Sequence, residues 1–323
     1  MEYTTLGQTG VQVSTLCFGT MSFGGDADKK TSKAMFRKCR EAGINFFDTA
    51  DVYNNGRAEE ILGECIADCR DELVLTTKVY NKTGDDINKQ GLSRRHIKEG
   101  IEESLKRLGT DYVDIYFCHQ FDSKTAIEET LTAMDDLVRE GKILYPAVSN
   151  WAAWQIEKAL GISREKNLSR FECIQPMYNL VKRQAEVEIL PMAGAENLGV
   201  IPYSPLGGGL LTGKYGTDKK PEKGRIVNNE MYSQRYGEDI YYEITDKFVE
   251  HAHEQGVNPV SLAVAWVESH PAVTAPIIGA RNVEQLKDSL EATNIKMTPD
   301  WRKKISELSL TPPPPTDRLE EIK

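Results

Sequence analysis

Val113-Asp114-Ile115-Tyr116-Phe117-Cys118-His119, then Thr125 to Val138, then Ile143 to Ser149, follow one another with only short breaks. The first is a short, nearly continuous apolar run, the composition of a strand covered on both faces. The second sets Ile127, Leu131, Met134 and Leu137 three and four residues apart and stops before Gly141, which predicts an amphipathic helix. The third is a β-rich run again.

Strand followed by helix recurs along the chain. Leu16 to Thr20, Ile44 to Asp48 and Leu73 to Lys78 precede this unit, and Phe171 to Pro176, Val200 to Tyr203 and Ala275 to Gly279 follow it. Ser93 to Leu108 carries Ile97, Ile101, Leu105 and Leu108 on one face, with Ser93 as N-cap and Gly109 just past the end. Ahead of the series, Tyr3 to Leu6 and Val11 to Ser14 flank Gly7-Gln8-Thr9-Gly10 and predict a small hairpin. Eight near-continuous apolar strands alternating with helices predict an α/β fold, a (β/α)8 TIM barrel. A doubly wound sheet would need a Gly-rich phosphate turn after an early strand. Phe18-Gly19-Thr20-Met21-Ser22-Phe23-Gly24 does not match G-x-G-x-x-G, so the barrel is favoured. No linker divides residues 1–323, which read as one domain with a surface tail from about residue 311, where four consecutive prolines begin after Thr311. Leu206 to Asp239 reads as a long irregular loop, of the kind used as a lid or ligand clamp.

The net charge of −9 and the absence of a Lys/Arg cluster exclude a nucleic-acid partner, while leaving room for a local basic pocket for one small phosphate. No stretch approaches the roughly 18 apolar residues of a membrane span. Met1 to Thr5 lacks the basic and apolar regions of a secretion signal. Six cysteines, Cys17, Cys39, Cys65, Cys69, Cys118 and Cys173, are scattered through periodic segments, as suits reduced thiols in the cytoplasm.

In such a barrel the active site gathers at the C-terminal ends of the strands. Those ends supply Asp48, Lys78 and His119, and Tyr53 lies five residues beyond Asp48. A phenol, with an ordinary pKa of about 10, is a weak acid near neutral pH. An adjacent ammonium favours the phenolate and lowers that pKa, and a carboxylate keeps the ammonium in place and charged. An imidazole beside the phenol can orient a substrate oxygen. Tyr53 as acid, Lys78 as its tuner, Asp48 as anchor and His119 as positioner form a coherent carbonyl-reducing set. The hydride must come from a cofactor, because no side chain supplies one.

These strand ends resemble those of the aldo-keto reductase superfamily over nearly the whole chain. The motifs are Phe47-Asp48-Thr49-Ala50-Asp51-Val52-Tyr53, Thr77-Lys78, Asp114 to His119, Ser149-Asn150-Trp151, Gln175-Pro176-Met177-Tyr178-Asn179 and Tyr203-Ser204-Pro205-Leu206. The resemblance implies a (β/α)8 barrel closed at the bottom by an N-terminal hairpin, and hydride transfer from NADPH, or less often NADH, to an aldehyde or ketone. It assigns Asp48, Tyr53, Lys78 and His119 to a catalytic tetrad. It puts Ser149, Asn150 and Gln175 at the nicotinamide carboxamide and Tyr203 against the nicotinamide ring. Gly19, Thr20 and Met21 are further cofactor contacts, and Ser204, Pro205, Leu206, Gly208 and Leu210, with Lys214, run beside the pyrophosphate. Gly279, Arg281, Gln285, Asp288 and Ser289 would hold the adenosine end, with Arg281 forking two bonds to a 2′-phosphate. That favours NADP. Some members carry a second basic residue where Gln285 falls, so NAD use stays open, and Ser289 is shorter than the Asn often found there.

Other combinations point elsewhere. Cys118 and His119 are strand neighbours on opposite faces and form no dyad. Cys65 and Cys69 share a helix face without further ligands, so packing is expected and no metal. His251 and His253 do not share a face and are expected in solvent. Trp151 and Trp154 bracket a helix start, where either can pack rather than bind. Met21, Phe23, Tyr80, Phe121 and Trp151 are rim residues suited to an apolar substrate wall. The expected partner is a small carbonyl or alcohol. The alternative is a cofactor-binding regulatory subunit resembling the β-subunits of potassium channels, which share the barrel.

Overall fold

The computed structural model describes residues 1–321. An antiparallel hairpin, β1 (Tyr3–Thr5) and β2 (Gln12–Ser14), precedes eight parallel strands. These are β3 (Cys17–Gly19), β4 (Phe46–Asp48), β5 (Val74–Val79), β6 (Val113–Cys118), β7 (Ile143–Ser149), β8 (Cys173–Gln175), β9 (Gly199–Val200) and β10 (Ile277–Ile278). They pair in chain order, with β10 beside β3. The seam between the last two strands is bridged as well: Thr274 N–H donates to Val200 O at 2.8 Å and Ile277 N–H to Pro202 O at 2.8 Å. The sheet therefore closes on itself as a (β/α)8 barrel, with the expected hairpin beneath it.

The strands are shorter than their apolar runs, because pairing ends where the chain turns toward the next helix. Their alternation divides the core in two. Cys17, Phe46, Val74, Ile115, Phe117, Ala147, Cys173, Ile201 and Ile277 fill the barrel interior, joined by Leu6 and Val13 of the hairpin. The intervening residues, among them Phe18, Phe47, Leu75, Tyr116 and Val148, face the helices and form the larger outer core. The hairpin fits tightly against the barrel floor. Gly7 has φ +52°, and a Cβ there would meet Asn197 O and Gly199 N at 2.6 Å. A side chain at that turn would lift the plug away.

Helices Lys29–Glu41, Arg57–Ile66, Arg94–Leu108, Ile127–Arg139 and Ala153–Lys166 follow β3 to β7 in turn. Ser93 caps the third of these, accepting from the His96 N–H, and Gly109 ends it at φ +64°. The fourth begins at Ile127, two residues later than its sequence suggests. The Asp122 carboxylate binds the Lys124 N–H (2.9 Å), the Thr125 hydroxyl (2.8 Å) and the Leu92 N–H (2.8 Å), so residues 122–125 are held as a turn.

Two expectations are corrected here. Residues 206–239 are irregular only in part: residues 213–224 are turns and an isolated bridge, but around them lie a 3-10 segment, Gly207–Thr212, broken at Gly208 and Gly209, and short helices Arg225–Asn228 and Glu230–Tyr236. Tyr232 and Tyr236, one helical turn apart, bury their rings, a burial that stabilises a helix too short to persist alone. His251 is not simply solvated, since its Nε2 accepts from the Trp301 indole N–H at 2.9 Å; His253 is exposed. The prolines after Thr311 form no helix, and the last two residues of the tail lie outside the described residues. Among the described residues no helix is long and apolar enough to cross a membrane.

Candidate active site

The interior positions of the strands, continued by two residues, lead to the top of the barrel. Phe46 is followed by Asp48, Thr76 by Lys78, Phe117 by His119, Ala147 by Ser149, Cys173 by Gln175 and Ile201 by Tyr203. The period of two that packs the core thus delivers six polar side chains to one rim. Cys118 faces the outer core, so it and His119 do diverge.

Asp48 and Lys78 meet in the floor of this rim. Lys78 Nζ donates to both Asp48 oxygens at 2.7 Å and to Thr49 O at 2.6 Å. Asp48 Oδ1 also accepts from the Thr76 hydroxyl (2.6 Å) and Gln175 Nε2 (2.9 Å). Both members of the pair are buried. Burial opposes the Lys78 ammonium, but the Asp48 carboxylate and the Tyr53 phenol outweigh it and hold its pKa above the usual value.

Tyr53 arrives on the loop after β4. Asn54 and Asn55 adopt φ of 50° and 56°, and Asn54 Nδ2 donates to Met21 O (2.9 Å) and Phe23 O (2.7 Å). This staple fixes the loop to the one after β3. Lys78 Nζ stands 5.1 Å from the centroid of the Tyr53 ring, and the His119 ring meets it edge-on at 6.0 Å. The net effect on the phenol reverses the expectation from sequence. Burial raises the Tyr53 pKa, Lys78 lowers it and Asp48 raises it again, leaving it above its ordinary value. The carboxylate that keeps the ammonium charged also cancels much of its field.

Burial, with Lys78 adding to it, pushes His119 down to about 3, so the imidazole is neutral at physiological pH. Its Nδ1 faces Asn81 Nδ2 at 3.2 Å, while Asn81 Oδ1 accepts from Gln120 Nε2 at 3.4 Å. With the amide as donor, Nδ1 accepts and the ring proton sits on Nε2. Beside it, Tyr203 donates its hydroxyl proton to Asn150 Oδ1 (2.8 Å), and Asn150 Nδ2 donates to His119 O (3.0 Å). Ser149 donates to Gln175 O at 2.9 Å. Asn150 and Ser204 both take φ +59°, turning the chain sharply off its strands.

These groups open into one cavity of about 770 Å³, within the usual range of roughly 300–1,000 Å³ for cofactor and ligand sites. Asp48, Tyr53, His119, Ser149, Asn150, Gln175 and Tyr203 line it with Gly19 and Met21. Ser204, Pro205, Leu206, Gly208, Lys214, Gly279, Arg281, Gln285, Asp288 and Ser289 line the same cavity. Three residues expected at the site are off its wall. Lys78 lies beneath it. Thr20 is buried, its N–H and hydroxyl both donating to Asp48 O (2.9 and 3.1 Å), and Leu210 is in the core.

Of the rim residues suggested for a substrate wall, only Met21 lines the cavity. Phe23 is wholly buried against Phe18, and Trp151 is buried between Phe121 and Phe171. Tyr80 and Phe121 pack on the outer core, and Trp154 is exposed. Cys65 and Cys69 are half-buried thiols packed on that core, and no metal-ligating cluster occurs among the described residues.

Arg225, Tyr232 and Arg235 also line the cavity and escaped the sequence reading. Their signal was present, as basic and aromatic side chains at near-helical spacing, but it sat inside a stretch read as irregular. They change the charge of the site. Four cations, Lys214, Arg225, Arg235 and Arg281, line it against two carboxylates, Asp48 and Asp288, in a chain whose net charge is −9. None of the four is paired with a carboxylate among the described residues, and burial followed by Arg281 and Arg225 depresses Lys214. A Cβ on Gly208, at φ +67°, would meet the Tyr232 ring at 2.8 Å, so only glycine fits beneath it. Ser289 Oγ, on the same cavity, is buried without a hydrogen-bond partner.

The model of the Aldo/keto reductase family matches residues 15–309. A probable voltage-gated potassium channel subunit beta of Oryza sativa subsp. japonica is 38% identical over 98% of this chain and 99% of its own length. The uncharacterized oxidoreductase YrpG of Bacillus subtilis (strain 168) is 37% identical over 95% and 96%. Versiconal hemiacetal acetate reductase of Aspergillus parasiticus is 29% identical over 93% and 94%.

Proposed function

The chain belongs to the aldo/keto reductase family, and from that premise we propose that it is an NADPH-dependent oxidoreductase that reduces small aldehydes or ketones, with Tyr53 as the proton donor. The observation that carries this reading is the buried Lys78–Asp48 pair beneath the Tyr53 phenol, with a neutral His119 beside it, at the end of an open cavity.

The residues fit the cofactor. The unpaired cations Lys214, Arg225 and Arg281 suit its phosphates, the lone Ser289 hydroxyl offers an unused polar contact, and Arg281 suits a 2′-phosphate. Gly208 and Gly209 would let phosphates approach the backbone, and Asn150, Ser149 and Gln175 would hold the carboxamide. Bound there, the reduced nicotinamide supplies the hydride. The chain handles the rest. His119 Nε2–H donates to the carbonyl oxygen and fixes its direction. Tyr53, a phenol protonated near neutral pH, gives its proton to that oxygen as negative charge develops. Lys78, pinned by three bonds, stabilises the phenolate left behind, and Asp48 prevents its ammonium from deprotonating. A single barrel domain and a cytoplasmic location belong to the same reading, the latter supported by six free thiols.

A second reading has one specific support, the potassium-channel name of a relative 38% identical over nearly the whole chain. In that case the barrel would bind the cofactor as a sensor or regulator. Following loss of reduced-nicotinamide absorbance with a panel of aldehydes and ketones separates the two. Turnover supports the reductase; tight NADPH binding without turnover of any carbonyl supports the regulator.

A further inference from the structure

Three of the four unpaired cations suit a cofactor. The fourth, Arg235, is not among the groups that depress Lys214, which feels burial, Arg281 and Arg225. It occupies the last turn of helix Glu230–Tyr236, is half-buried, and lines the cavity that holds Tyr53 and His119. Among the described residues its guanidinium makes no ion pair; it lies 5.7 Å from the Tyr232 ring, which Arg225 also approaches at 5.6 Å. The next residue anchors this turn near the strand ends. Tyr236 is wholly buried, and Asn179 Nδ2 donates both to its hydroxyl (3.2 Å) and to Ser204 O (2.9 Å). Ser204 adjoins Tyr203, which bonds Asn150 beside His119. Lys214, by contrast, reaches toward Gly209, where a Cβ would meet its Nζ at 3.1 Å, and feels Arg225 and Arg281. The charge of Arg235 acts instead on the phenol of Tyr203.

A half-buried guanidinium facing a cavity without a counter-ion is suited to bring an oxyanion in, because a fork of N–H donors matches carboxylate and phosphate geometry. We propose that Arg235 binds the anionic end of the substrate, so that the preferred substrates are aldehydes or ketones carrying a carboxylate or phosphate group. This rests on the reductase reading for its chemistry, and on the cavity wall for its anion. Met21 and Gln120 line the same cavity and would accommodate the linking atoms.

The test compares matched pairs: 4-carboxybenzaldehyde against 4-methylbenzaldehyde, and glyceraldehyde 3-phosphate against glyceraldehyde. In the wild type, kcat/KM should favour at least one anionic member by on the order of tenfold or more, and which pair shows it identifies the anion as carboxylate or phosphate. Arg235→Met should bring that anionic-to-neutral ratio down to about one, a loss on the order of tenfold or more, and Arg235→Lys should keep part of it. NADPH affinity, read from its fluorescence, should shift by less than about threefold in both variants. An unchanged ratio, no wild-type preference in either pair, or a loss of NADPH affinity that parallels the loss of turnover would overturn the proposal. Binding of benzoate and inorganic phosphate to the NADP⁺-loaded protein, measured by calorimetry, keeps the two readings apart. Arg235-dependent anion binding without turnover of any aldehyde leaves the anion site standing and removes the reductase; turnover without anion preference does the reverse.

Discussion

Lys78 Nζ sits 2.7 Å from both carboxylate oxygens of Asp48, and neither side chain reaches solvent to any useful degree. A charge held this deep depends wholly on its partner. Lys78→Met would strand a buried carboxylate and should lower unfolding free energy by about 3–5 kcal/mol. Urea unfolding measures it. Adding Asp48→Asn to the same chain should recover a large part of the loss, since a neutral amide costs less to bury. Equal stability of wild type and Lys78→Met would mean that the pair carries no such interdependence.

Asp51, between Asp48 and Tyr53, gives a pH dependence of the opposite sign to most carboxylates. Both its oxygens are buried and without partners. Burial pushes its pKa up to about 8, Glu59 adds to the rise, and Arg107 and Lys78 oppose it. Glu59 does not relieve the neighbour, being committed to Arg107 Nε (2.7 Å) and the Thr77 hydroxyl (2.5 Å). Between the ordinary carboxylate pKa and about 8 the folded chain holds a proton that the unfolded chain has released. Folding stability from this group is therefore full at low pH and is lost as pH rises, at up to about 1.4 kcal/mol per unit. In Asp51→Asn the decline between pH 5 and pH 8 should be shallower by on the order of a few kcal/mol, read from denaturant midpoints at each pH. Parallel curves would assign the decline to other groups.

Arg281 lines the cavity and makes no ion pair with a carboxylate among the described residues. Arg281→Ala should weaken NADPH binding by on the order of 10–100-fold while changing NADH binding far less, because only the former carries a 2′-phosphate. Fluorescence titration with both cofactors gives the comparison. Equal losses would remove the 2′-phosphate assignment.

The barrel was legible because its strands are apolar on both faces and its helices amphipathic, so periodicity alone separated them. The rim was legible for the same reason: Asp48, Lys78 and His119 stand two residues beyond interior positions, and that parity can be counted in the sequence. Parity could not set the sign of the shift at Tyr53, which depends on burial and on how much of the Lys78 field Asp48 cancels. Nor could it tell that Thr20 serves the Asp48 backbone rather than the cavity, or that Phe23 and Trp151 are packed away. The stretch 206–239 hid the most. Its helices are short, their stability comes from Tyr232 and Tyr236 packing over the glycines, and Arg225 and Arg235 could be placed only once those rings were.

Tyr53→Phe tests the central claim most directly, because it removes one hydroxyl and keeps the ring that Lys78 and His119 face. Single-turnover reduction of an aldehyde that the wild type accepts should fall by a factor of about 100 or more, with NADPH affinity nearly unchanged. Reduction in Tyr53→Phe at a rate close to wild type would contradict the assignment of that hydroxyl as the proton donor.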